Sequence, residues 1–105
     1  MKISILTPTR NRPNNCERFI KSIYNTAWER GAVELLFYVD NDDPAKDIYK
    51  EIEERWQNNF WRGEFVIGEP MSVSKSWNII AEKSLGDIMI MGNDDLVYKT
   101  VRWDA

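Results

Sequence analysis

The sequence predicts an α/β fold: three layers, α/β/α, with helices on both faces of a mostly parallel sheet and elements in the order βαβαβαβ. Three observations predict it. Short apolar runs alternate with longer segments whose apolar residues recur at helical spacing. Glycine, proline and acidic clusters separate the two kinds of segment. The run at 33–39, Val-Glu-Leu-Leu-Phe-Tyr-Val, is apolar at nearly every position, as a strand covered on both faces should be.

The first strand occupies 2–7, with Ile3, Ile5 and Leu6 as its apolar residues. Thr7-Pro8 halts it, because proline removes a donor and biases the residue before it. The loop Thr7-Pro8-Thr9-Arg10-Asn11-Arg12-Pro13 follows. A helix starts near Asn14, with Glu17 three residues on as a capping-box partner. Cys16, Phe19, Ile20, Ile23, Tyr24 and Ala27 form its inner face, and Gly31 supplies a stop.

Beyond the second strand, Asp40-Asn41-Asp42-Asp43-Pro44 is an acidic loop. Asp43 can cap the next helix with Pro44 at its first position. Ile48, Ile52 and Trp56 give that helix a narrow apolar stripe. A third strand, Phe65-Val66-Ile67, follows Gly63 and is broken by Gly68 and Pro70. The third helix runs from Ser72 or Ser74 to Leu85, with Val73, Trp77, Ile80 and Ala81 inward and Gly86 ending it. The fourth strand, 87–92, is a buried run that stops at Asn93, Asp94 and Asp95. Leu96-Val97-Tyr98 can extend a short strand.

The bulk numbers bound the function. A length of 105 residues fits one domain over 1–105. The net charge of −3 argues against nucleic acid or an anionic membrane as a partner, since both want a basic surface. No stretch approaches the roughly 20 apolar residues of a transmembrane segment, so none is expected. The absence of histidine removes Ser-His-Asp chemistry and the usual zinc sites. Cys16 is the single cysteine, so no internal disulfide forms. This fits a reducing compartment, and the cytoplasm is the expected location. With no histidine to serve as its base, Cys16 reads as filler rather than nucleophile.

In such sheets, ligands bind beyond the carboxyl ends of the strands. The loops after strands one, two and four all fall at that edge. Each has a plain reading alone: a turn and cap at 40–43, solvated charges at Arg10 and Arg12, a turn at Asp94-Asp95. Together they suit a nucleotide diphosphate and a divalent cation, Mn²⁺ or Mg²⁺. Asp94 and Asp95 would hold the metal or the ribose. Asp40 or Asp42 would accept from a base N–H or a ribose hydroxyl. The backbone of Pro8 and Thr9 would edge the base, and Arg10 would stack or pair with phosphate.

The residues also resemble a known family. Ile3-Ser-Ile-Leu-Thr-Pro-Thr-Arg-Asn-Arg is similar to the opening strand and loop of family 2 glycosyltransferases with the GT-A fold. Leu36-Phe-Tyr-Val-Asp40-Asn41-Asp42-Asp43 resembles their second strand and acidic loop. Ser74-Lys75-Ser76-Trp77-Asn78, then Ala81 and Leu85-Gly86-Asp87, resembles their third-helix segment. Met91-Gly92-Asn93-Asp94-Asp95 falls at their DxD motif. The resemblance covers nearly all of 3–96 and implies a truncated GT-A, nucleotide-diphospho-sugar transferase-like fold. It implies Pro8, Thr9, Asp40, Asp42, Lys75, Asn78, Asp94 and Asp95 as donor-site residues, with Arg10 beside them. A UDP-sugar is the leading donor, and the acceptor is unassigned.

Three departures stand out. Gly92 replaces the first acid of the motif, leaving two carboxylates. Trp77 sits where the family often has Arg. The part that carries the acceptor site and general base lies outside the matched pattern, so 1–105 is expected to be the N-terminal part of a longer one. Transferase activity is expected only if such a region completes it. The alternative is a non-catalytic nucleotide-binding or interaction module, including a homo-oligomer built on exposed aromatics such as Trp61 and Trp103. A nucleotidyltransferase would show a Gly-rich loop after strand one, and a dinucleotide-binding domain a GxGxxG; neither is present. A receiver-like domain would place an acid pair after strand one, where Thr-Pro-Thr-Arg stands.

Overall fold

The computed structural model describes residues 1–94, 98, 99 and 104. Within them, strands β1 (Ile3–Thr9), β2 (Val33–Asp40), β3 (Arg62–Gly68) and β4 (Ile88–Met91) alternate with helices α1 (Pro13–Thr26), α2 (Lys46–Trp56) and α3 (Val73–Lys83). The strands form one sheet in the order β3-β2-β1-β4, and every neighbouring pair is parallel.

The layers follow from the handedness of crossovers. β1 to β2 to β3 steps across the sheet in one direction, with α1 and α2 on one face. β3 to β4 steps back past β2 and β1. A right-handed crossover in the reverse direction must pass over the other face, and α3 packs there. Phe19, Ile20 and Ile23 of α1 join Tyr49 and Ile52 of α2 against Ile5, Leu35, Phe37 and Val39. Ile80 of α3 packs against Leu6, Leu36 and Tyr38. Alternate residues of β2 thus serve opposite layers, as the strand period of two requires.

Several boundaries differ from the sequence expectation. β1 does not stop at Thr7 but continues through Pro8, opposite Tyr38, to Thr9. The Leu6 carbonyl accepts from Gly92, so Leu6 points toward β4, and Pro8 two residues on points the same way. β4 pairing ends at Leu6, so no ladder bond is lost at Pro8. α1 starts at Pro13 with no side-chain cap, and it ends at Thr26, short of Gly31. The Asn14–Glu17 box does not form. Glu17 instead pairs with Arg55 and accepts from Trp56 Nε1 of α2.

α2 begins at Lys46. Asp43 still serves the turn before it, accepting from the Ala45 amide at 2.8 Å. Ile48 is 47% exposed, whereas Tyr49 is fully buried, so the inner stripe is Tyr49, Ile52 and Trp56. On α3, Val73 is exposed and Ser76 and Ile80 are buried. β4 is not the buried strand that its apolar run suggests. It lies at the sheet edge, with Ile88, Met89 and Met91 exposed. Cys16 is buried, and burial pushes its thiol pKa well up, which agrees with a core role. The expected strand at Leu96-Val97-Tyr98 and the aromatic Trp103 fall on or among residues outside the described ones.

Glu34 holds the amino-terminal ends of the strands together. It is fully buried in β2. Its Oε1 accepts from Ser4 Oγ of β1 at 2.7 Å and from the Leu85 amide at 2.9 Å. Its Oε2 accepts from Arg62 of β3 at 2.9 Å. Ser4 Oγ in turn accepts from the Gly86 amide. A Cβ on Gly86 would lie 2.4 Å from Ser4 Oγ and 2.8 Å from Ser4 N, so only glycine lets this connection close on β1. Glu34→Ala orphans the Ser4 and Leu85 donors and leaves Arg62, itself partly exposed, to turn to solvent. A loss of about 3 kcal/mol in unfolding free energy is expected from denaturant titration. A loss under about 1 kcal/mol would show that the carboxylate is not a structural tie.

Candidate functional site

Helices follow β1 on one side of the sheet and β3 on the other, so the strand order reverses between β1 and β4. Ligands bind at such a switch point, beyond the carboxyl ends of the strands. A cleft of about 590 Å³ opens there, within the range of small-ligand sites. Pro8, Thr9, Arg10, Asn11 and Arg12 line it from the end of β1 and its loop. Tyr38 and Asp40 come from β2, Met71, Val73 and Ser76 from the start of α3, and Asp94 from the loop after β4.

Two acid–base groups frame the cleft. At the β2 side, Arg10 donates to Asp40 Oδ2 at 2.8 Å and to Asp42 Oδ1 at 2.7 Å. The hydrogen bond donated to Asp42, then that donated to Asp40, raises the guanidinium pKa. At the β4 side, Asp94 is only 5% exposed. Its Oδ2 accepts from Thr9 Oγ1 at 2.7 Å, and Arg12 lies 3.7 Å from its Oδ1.

The loop after β1 is fixed from beneath. Asn11 adopts a left-handed φ of 49°, which asparagine tolerates better than most residues. Its amide donates to Asp43 Oδ2 at 2.7 Å, and the Arg12 amide donates to Tyr49 Oη at 2.9 Å. Tyr49 Oη is also 3.0 Å from Thr9 Oγ1. Burial pushes the Tyr49 hydroxyl pKa above its ordinary value, so it stays protonated.

Of the sequence-predicted residues, Pro8, Thr9, Arg10, Asp40 and Asp94 share the cleft, and Asp42 joins through Arg10. Lys75 and Asn78 are exposed on α3, outside the described lining. Asp95 lies outside the described residues. Tyr49 was missed because Ile48 was given its place in the stripe; the spacing from Tyr49 to Ile52 and Trp56 is equally helical. Tyr38 was read only as core. Its hydroxyl donates to the Glu69 carbonyl at 2.6 Å, and the residue lines the cleft.

The profile described as "Glycosyl transferase family 2" matches residues 4–103. The chain belongs to glycosyl transferase family 2. Among solved structures, a mannosyltransferase from Pyrobaculum calidifontis in complex with GDP-Man and Mn²⁺ has a TM-score of 0.83 at 16% identity, over 96% of this chain and 29% of that one. S. aureus TarS 1-349 has a TM-score of 0.76 at 15% identity, over 90% of this chain and 28% of that one. The same TarS fragment in complex with UDP-GlcNAc has a TM-score of 0.75 at 16% identity, over 90% of this chain and 27% of that one. No curated protein sequence matches. The likeness bears out the GT-A-type α/β fold, and this family 2 chain spans under a third of the length of those relatives. Among the described residues, no helix is long and apolar enough to cross a membrane.

The space at Gly92, where the resemblance would put an acid, is closed. A Cβ on Gly92 would lie 2.3 Å from buried Thr7 Oγ1, 3.0 Å from Ile5 Cγ2 and 3.1 Å from Phe19 Cζ. No acid fits at that position unless the core moves. Gly92→Ala should therefore cost about 1–3 kcal/mol by thermal or denaturant unfolding. A variant as stable as the wild type would show that glycine here is incidental.

Proposed function

We propose that this domain binds a nucleotide diphosphate sugar, with a UDP-sugar as the leading donor, for transfer of the sugar to an acceptor. The observation that carries the reading is the convergence of the loops after β1, β2 and β4 on one cleft at the switch point of a family 2 chain. Neighbours in complex with GDP-Man and Mn²⁺ and with UDP-GlcNAc support it. We take residues 1–105 as the donor-binding part of a longer architecture. Turnover then needs an acceptor site and a general base from beyond the matched pattern. The cytoplasm remains our expected location, on the strength of the lone thiol.

In this reading, the backbone of Pro8 and Thr9 edges the base. Asp40 and Asp42 accept from a base N–H or the ribose hydroxyls, with Arg10 released to stack or to meet phosphate. The start of α3 turns its positive end toward the cleft, which favours phosphate. Lys75 and Asn78 are carried over from the family pattern as residues on that side.

The donors present fit a hard divalent cation. Asp94 and Asp95 offer oxygen only, which suits Mn²⁺ or Mg²⁺. No group of three acidic or thiol side chains gathers among the described residues. A cation resting on one or two carboxylates, with phosphate oxygens and water as its other ligands, needs no such group. When bound, the metal would supply Lewis-acid stabilisation of the diphosphate leaving group. Arg12 close to Asp94 adds a constraint: the cation and the arginine compete for one carboxylate. A diphosphate that arrives with the metal removes the competition, because Arg12 can turn to phosphate.

Calorimetric titration with UDP is expected to show binding in Mn²⁺ that weakens in EDTA, with a matching rise in melting temperature. Absence of binding at millimolar UDP with metal overturns the donor-site reading. Asp95→Ala should remove the metal-dependent part of the affinity and leave the circular dichroism spectrum intact. Unchanged binding in that variant would reduce the acid pair to a turn.

A further inference from the structure

We propose that Tyr49, buried in α2 and outside the cleft, is a positioning residue that orients the Asp94 carboxylate through the Thr9 hydroxyl. The inference rests on Asp94 serving the metal, as proposed above. Its ground is a chain of three hydrogen bonds: the Arg12 amide to Tyr49 Oη at 2.9 Å, Tyr49 Oη to Thr9 Oγ1 at 3.0 Å, and Thr9 Oγ1 to Asp94 Oδ2 at 2.7 Å.

The direction of the chain is determined by chemistry. A backbone amide can only donate, so Tyr49 Oη accepts from Arg12. An ionised carboxylate can only accept, so Thr9 gives its single hydrogen to Asp94. The Tyr49 hydrogen must then go to Thr9 Oγ1. Each hydroxyl receives one bond and gives one, and such chains polarise in the same sense. Tyr49 is fully buried, so water offers its hydroxyl no ready substitute partner.

The chain also joins elements that are far apart in sequence. Thr9 ends β1, Tyr49 sits in α2, and Asp94 follows β4. Asp94 Oδ2 is thereby aimed at β1, which leaves the remaining acceptor capacity of the carboxylate for the cleft. This is the part that an outer partner plays when it fixes a carboxylate ligand. Removing the Tyr49 hydroxyl leaves Thr9 free to rotate and Asp94 free to turn toward Arg12.

The test uses Tyr49→Phe, which keeps the ring in place. The first readout is the ratio of UDP affinity in Mn²⁺ to that in EDTA. It is expected to fall about tenfold, as for loss of an outer-shell partner. In an Asp94→Ala background, Tyr49→Phe should change the ratio no further. A ratio within about twofold of wild type overturns the inference, given the usual cost of losing such a partner. The second readout needs no ligand: the ¹³C resonance of the Asp94 carboxyl, expected to move in Tyr49→Phe and to stay put in Tyr24→Phe. An unmoved resonance overturns the inference whatever UDP does. A moved resonance without metal-dependent binding in the wild type keeps the positioning role and overturns the donor-site reading instead. If Tyr49→Phe fails to fold, a Tyr49 hydroxyl proton in the wild type with no contact to Thr9 by NMR overturns it.

Discussion

A single buried carboxylate, Glu34, sets the register on which the site depends. It bonds to β1 through Ser4, to β3 through Arg62 and to the α3–β4 connection through Leu85. Strand side chains alternate faces, so a slip of one residue in β2 would carry Glu34 to the other layer and strand all of its donors. The register is thus strongly specified at the amino-terminal end of the sheet. With that end level, the carboxyl ends of β1, β2 and β4 finish where their loops can meet. The cleft is a consequence of bonds made at the far end of the strands.

The domain holds two further buried carboxylates at that carboxyl end, Asp43 and Asp94, and Asp94 contrasts with Glu34. Glu34 has both oxygens engaged, by donors from β1, from β3 and from the α3–β4 connection. Among the described residues Asp94 Oδ2 is engaged by Thr9, and Arg12 stands at ion-pair rather than close hydrogen-bond distance from Oδ1. A carboxylate can accept about four hydrogen bonds. With respect to the described residues Asp94 therefore keeps acceptor capacity, and it lines the cleft. Burial alone does not separate the two acids; the acceptor capacity left at Asp94 is what the proposed binding role draws on.

The sequence exposes periodicity well and partnership poorly. The apolar run of β2 and the spacing of Phe19, Ile20 and Ile23 are local patterns, and they set the fold class and the edge where the polar loops meet. Glu17 lay in a cap-like spacing, but its partners are Arg55 and Trp56, far along the chain. Tyr49 differs from Ile48 by one position, and hydropathy favours the isoleucine. What decides between them is a polar tip that finds Thr9 and Arg12, which no local window contains. β4 reads as buried because its residues are apolar, while burial is set by its place at the sheet edge.

The inward turn of the loop after β1 decides how this cleft would meet the proposed diphosphate. Glycine-rich phosphate loops present successive backbone N–H groups to the anion. Here the Asn11 and Arg12 amides are both spent on buried acceptors, Asp43 and Tyr49. One early amide of α3 is used as well, since Lys75 donates to Ser72 Oγ at 3.3 Å. The positive charge that lines the cleft is therefore carried by Arg10 and Arg12, each already held by a carboxylate. An anion alone must break those pairs, and a cation alone must displace an arginine from Asp94. A ligand that brings both signs would exchange each pair for another, which is the electrostatic argument for the proposed joint binding of phosphate and metal.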